Sequence, residues 1–146
     1  VLYFEPARSG TRIEPALERL NRVLRRRSVS FLISDFETDE DLRRPLAVTA
    51  RRHDLTALRI GDKRESAWPR AGLVEWRDLE TGERRVLDTS DRAVRMALQA
   101  SQSHRREAMK ETLRSSGIDL VDIAVEEPYE RRLAEFFHMR ERRRRL

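Results

Sequence analysis

Apolar residues recur along this chain in two rhythms, short dense runs and wider helical stripes, and the dense runs mark the strands. The densest lies in Ser28–Phe36, SVSFLISDF, where Val29, Phe31, Leu32 and Ile33 leave few polar positions before the run stops at Asp35. Branched and aromatic side chains at this density predict a strand covered on both faces, as in a parallel sheet packed between helices. Asp54–Ile60, DLTALRI, and Ile118–Val125, IDLVDIAV, repeat the pattern. A β-hairpin is predicted over Gly72–Asp88, with Leu73, Val74 and Trp76 in one arm and Arg85, Val86 and Leu87 in the other. Glu80-Thr81-Gly82-Glu83 would be its turn.

Helices fill the intervals. Ile13, Leu17, Leu20, Val23 and Leu24 recur at helical spacing, with Arg19, Arg22, Arg25 and Arg26 on the other face. Two starts are open: a capping box of Thr11 with Glu14, or Pro15 at the first helical position. A second helix is expected over Asp39–Arg52, with Leu42, Leu46 and Thr49 or Ala50 inward, and the acidic cluster Glu37–Asp41 suits its positive end. Thr89, Ser90 or Asp91 can cap a long helix reaching about Ser116, where Gly117 supplies a left-handed stop. Its stripe of Val94, Leu98, Met109 and Leu113 is interrupted by Gln102, Ser103 and His104, a polar middle expected to project past the sheet. Pro128 opens a last helix that buries Leu133, Phe136 and Phe137 before a basic tail at residues 140–146. Strands alternating with helices make the fold class α/β, a three-layer arrangement around a parallel sheet.

Length and charge narrow the possibilities. At 146 residues the chain is one domain. Val at position 1, with no signal sequence or long apolar segment, reads as a soluble, cytoplasmic piece of something longer whose parent can be membrane-anchored. The absence of cysteine excludes disulfides and thiolate metal sites. Without Arg142, Arg143, Arg144 and Arg145 the formal charge of +5 falls to +1, so basicity belongs to the C-terminal end. No broad phosphate-binding face is expected, and hence no nucleic acid.

Candidate chemistry gathers at strand ends. Asp35, Asp62, and Glu126 with Glu127 each follow a predicted parallel strand, and ligands collect beyond the carboxyl ends of such strands. Oxygen-only ligands suit a hard cation such as Mg²⁺, although the plainer reading is that these acids cap the helices that follow. His53, His104 and His138 show no metal-ligand spacing and read as surface residues on three helices. Trp68 and Trp76 read as packing residues, and Asp119 and Asp122, at odd spacing in one strand, cannot both face inward.

Several strings together resemble one family. Gly10-Thr11, Leu20-Asn21-Arg22-Val23-Leu24-Arg25-Arg26-Arg27-Ser28, Phe31-Leu32-Ile33-Ser34-Asp35-Phe36, Arg51-Arg52-His53-Asp54, Asp88-Thr89-Ser90, Gly117-Ile118-Asp119 and Glu127-Pro128-Tyr129 follow the order of the bacterial domain of unknown function family 58. That family is a branch of the von Willebrand factor A-like domains, often encoded beside MoxR-type AAA+ ATPases. The resemblance implies a Rossmann-like, mostly parallel sheet with helices on both faces, a hairpin insertion, and the domain's N-terminal strands missing upstream. It further implies a metal-ion-dependent adhesion site, in which Thr11 and Asp35 match the threonine and second aspartate, while the Asp-x-Ser-x-Ser loop is absent. Two ligands are too few for tight Mg²⁺ binding, so none is expected to bind this piece well.

The function implied is a non-enzymatic protein-interaction module working with a MoxR-type ATPase in assembly or maturation of other complexes. Asp35, Glu37, Asp62 and Glu126 would form its partner-binding rim. Loss of the neighbouring strand would bare the edge of Val29–Ser34, so Val29, Phe31 and Ile33 are candidate homodimer contacts, with Val1–Glu5 available as an added strand. The competing class is a Mg²⁺-dependent phosphoryl-transfer enzyme with Asp35 as nucleophile or metal ligand, which needs a lysine at a neighbouring strand end. Of the two lysines, Lys63 and Lys110, only Lys63 is expected near the rim. A third reading is attraction of the arginine tail to nucleic acid or an anionic membrane surface.

Overall fold

A computed structural model of the protein describes residues 11–62, 68–77 and 83–144. Its elements are α1 (Ile13–Val23), β1 (Val29–Ser34), α2 (Arg43–Arg52), β2 (Asp54–Gly61), β3 (Leu73–Arg77), β4 (Arg84–Asp88), α3 (Arg92–Ser115), β5 (Asp119–Ala124) and α4 (Tyr129–Arg144). Strands β1, β2 and β5 form one parallel sheet in that order, while β3 and β4 pair antiparallel as a separate hairpin. Residues 80–82 of the expected turn of that hairpin, the segment Val1–Glu5 and Lys63 lie outside the described residues.

One face of the sheet carries most of the core. Ile13 and Leu17 of α1, Leu46 of α2, Leu113 of α3, and Leu55 and Ala57 of β2 pack together with Phe36, Leu42 and Ile118. The opposite face is covered by α4, where Phe136 packs on Leu58, Val121 and Ile123. The helices thus lie on both faces, as expected.

Local chemistry accounts for the ends of α3. The Asp91 carboxylate accepts from the Ala93 N–H at 2.7 Å, and Gly117 at φ 71° turns the chain out. The Gly117 and Ile118 N–H groups donate to the Arg114 and Leu113 carbonyls, each at 3.0 Å, which satisfies two carbonyls the helix leaves over.

Several expectations are corrected. Strand β1 is not buried on both faces: Ser30, Leu32 and Ser34 are half-buried, whereas Val29, Phe31 and Ile33 are exposed. It is the edge strand of the described sheet, and the Phe137 ring of α4 meets Phe31 there edge-on at 6.2 Å. Phe137 is accordingly exposed rather than core. Helix α2 begins at Arg43, so residues 37–41 form a loop instead of its first turn. Neither expected cap starts α1; Glu40 does so from that loop, its Oε2 accepting from the Ile13 N–H at 2.6 Å and the Glu14 N–H at 3.0 Å.

Helix α4 continues through Arg144, and Arg140 pairs with Asp54 and, at 3.4 Å, with Asp119. Arg143 reaches Asp119 at 3.3 Å. His53 is a core residue at 1% exposure, and neither of its ring nitrogens has a hydrogen-bond partner among the described residues.

Candidate functional site

Because the three core strands are parallel, their carboxyl ends at Ser34, Gly61 and Ala124 share one rim. Asp35 and Asp62 follow the first two directly, and Glu126 follows Ala124 after Val125. The loop after β1 is set by its own side chains. Ser34 Oγ accepts from the Phe36 N–H at 3.0 Å, and Asp35 Oδ1 accepts from the Glu37 N–H at 3.1 Å and lies 3.3 Å from the Ser34 hydroxyl. Phe36 sits at φ 61°, a conformation that costs a residue with a side chain about 1–3 kcal/mol. Its ring, 7% exposed, enters the core and offsets that cost.

The loop then folds back against the start of α1. Thr38 Oγ1 donates to the Thr11 carbonyl at 3.1 Å and accepts from the Glu40 N–H at 3.2 Å, while Glu40 caps α1 and lies 3.6 Å from Arg12. Thr11 and the Asp35 loop are therefore neighbours at the rim. At the far end of the loop the Asp41–Arg43 hydrogen bond lowers the Asp41 carboxyl from its ordinary 3.8 to about 2.

Between this loop and α3 lies a cleft of about 230 Å³. Asp35, Glu37 and Asp39 line one wall, and Arg105 and Lys110 of α3 the other. Its floor is apolar, with Phe36, Leu42, Met109 and Leu113. Arg59 of β2 closes the inner end. Its guanidinium pairs with Asp122 and lies flat over Gly61, where a Cβ would come within 2.8 Å of it.

The predicted rim residues do not all converge. Asp35 and Glu37 share the cleft, but Asp62 lines a separate recess beyond Arg59 with Asp122 and Arg132, and Glu126 lines neither. Lys110 of α3 stands in the Asp35 cleft, contrary to the expectation that only Lys63 approaches the rim. It is engaged with Glu107 at 3.0 Å.

Sequence reasoning missed Glu40 and Arg59. An arginine between Leu58 and Ile60 of the strand DLTALRIG was the visible signal for Arg59; nothing local announces that Glu40 caps another helix. Among the described residues no group of three or more histidines and acids is placed to hold a metal ion. Asp35 already spends one carboxylate oxygen on the Glu37 N–H, so Thr11 and Asp35 alone do not fit a divalent cation. No helix of the described residues is long and apolar enough to cross a membrane.

Comparison with known proteins fits this architecture. The crystal structure of conserved hypothetical protein BatB from Bacteroides thetaiotaomicron superimposes on 93% of this chain and 61% of its own length, with a TM-score of 0.50 at 14% identity. That likeness concerns the fold alone. Uncharacterized protein MAV169 of Mycobacterium avium is 30% identical over 127 residues, which cover 87% of this chain and 75% of that protein. Uncharacterized protein Rv1480 of Mycobacterium tuberculosis is 29% identical over 127 residues, and the chain spans only 40% of its length. The pattern of the family described as protein of unknown function DUF58 matches residues 1–108, and the chain belongs to that family.

Proposed function

We propose that this domain is a non-enzymatic protein-binding module of the von Willebrand A-like type, which engages its partner at the carboxyl-end rim around Asp35. The observation that carries the reading is the Thr38–Thr11 hydrogen bond, which gathers Thr11, Asp35 and Glu37 at the end of a parallel sheet where ligands of such folds bind. The partner proposed is a MoxR-type AAA+ ATPase, in the assembly or maturation of other complexes, within a cytoplasmic setting. A Mg²⁺ ion enters this reading only with ligands that the described residues do not supply. Calorimetry on this chain is expected to show no micromolar Mg²⁺ affinity.

The test is surface plasmon resonance between this protein and a MoxR-type ATPase. Binding that Asp35→Ala weakens by about tenfold, the loss of ~1.4 kcal/mol, supports the module. Undiminished binding by Asp35→Ala moves the interaction elsewhere. The presence of Lys110 in the Asp35 cleft favours a second reading, phosphoryl transfer at Asp35. Phosphatase turnover by the protein that disappears in Asp35→Asn would replace the first reading with this one.

A further inference from the structure

We infer that the cleft between the Asp35 loop and α3 receives a peptide segment of the partner carrying an apolar residue flanked by one acidic and one basic residue. This deepens the reading of the rim as a protein-binding surface and rests on it. The cleft combines three features that a single peptide can satisfy together. Its volume of about 230 Å³ over Phe36, Met109 and Leu113 accepts one apolar side chain. Its α3 wall presents Arg105, which has no hydrogen bond or ion pair among the described residues, beside Lys110. Its loop wall presents Glu37 and Asp39, whose carboxylates likewise have none.

The other charges near the cleft are already committed. Glu40 caps α1, Asp41 is held by Arg43, Arg59 by Asp122 and Lys110 by Glu107, and Asp35 accepts from the Glu37 N–H. The charges left for a ligand are thus of opposite sign on opposite walls. An anion is attracted to α3 and repelled by the loop, and a cation the reverse, so charge sets the direction in which the segment lies. Arg105 takes the role of receiving an acidic side chain, which requires no metal at Thr11 and Asp35.

The experiment uses the whole chain, labelled with ¹⁵N, and two probes, Ac-Lys-Leu-Glu-NH₂ and Ac-Ala-Leu-Ala-NH₂, titrated in the presence of EDTA. The expected result is that the charged probe shifts the amide signals of Phe36, Glu37, Arg105 and Met109 while the neutral probe binds about fivefold more weakly. Arg105→Glu is expected to remove that difference, with Arg131→Glu on exposed α4 as the control that leaves it intact. Equal binding of both probes, shifts elsewhere on the surface, or binding that appears only with Mg²⁺ each overturns the inference. Those results leave the ATPase measurement standing, whereas loss of ATPase binding with the charged probe still seated here overturns the partner and keeps the cleft.

Discussion

Across the sheet from Leu46 and Leu113, both at 0% exposure, Val29 and Ile33 stand 62% exposed. The first face carries three helices and the loop residues Phe36 and Leu42; the second carries α4 alone. Strands lie about 4.8 Å apart and a helix with its side chains is about 10–12 Å across, so one helix covers roughly two strands. Helix α4 lies over β5 and β2 and leaves the outer face of β1 bare. Polar contacts compensate at its far end, where Arg140 joins Asp54, Thr56 and Asp119 and lies 5.6 Å over the Phe136 ring. One face is therefore held by apolar packing, and the other by a thin apolar contact and a charged clasp.

Core substitutions should separate the faces most widely. Leu46→Ala is expected to cost about 2–5 kcal/mol in urea unfolding, because it opens a cavity among fully buried neighbours. Ile33→Ala should stay within about 0.5–1 kcal/mol, as an exposed site does. Equal losses would erase the distinction between the faces. The clasp comes next. Arg140→Met should cost about 1–3 kcal/mol, since it strips a partner from partly buried carboxylates at the starts of β2 and β5. Arg143→Met, at an exposed pair, should cost about 0–1 kcal/mol.

The bare face and edge of β1 yield a subtler prediction. Light scattering at high concentration is expected to return twice the chain mass for the native protein and a single chain for Ile33→Glu, because a charge there opposes pairing between copies. A monomeric native chain would mean that exposure of this face has no associative consequence. The smallest effect belongs to the exposed Asp41–Arg43 pair. With Asp41 lowered from 3.8 to about 2, its contribution is present above the unfolded value and is lost as pH falls through the folded one. Acid titrations of native protein and Asp41→Asn should diverge slightly above pH 4 and converge below about 2.

Much of the architecture was legible in advance, and the parts that were not share a cause. The long helix was visible at both ends because Asp91 and Gly117 act on their own backbone neighbours. Leu42 and Leu46 were placed correctly because helical spacing puts them on one face. The start of α1 was misread because its cap, Glu40, comes from 26 residues away. His53 was taken for a surface residue because no local pattern says that the end of α2 turns inward at 1% exposure.

The candidate site divides the same way. Asp35 was legible as the residue that ends a strand and Glu37 as part of the acidic loop beside it, whereas Thr11 was tied to it only through family resemblance. The structure separates Asp62 and Glu126 from it and brings in Arg105 and Lys110 across the cleft.

The order of strands and helices, the stop at Gly117 and the acid at the end of each parallel strand follow from the sequence by itself, because they depend on residues within a turn or two of each other. The tertiary structure alone decided which face of β1 stays bare, that Arg140 and Arg143 clasp the strand starts, and which charges meet across the cleft at Asp35. Those outcomes depend on how many strands one helix can cover and on which distant charges the packed helices bring together. No periodicity along the chain encodes either.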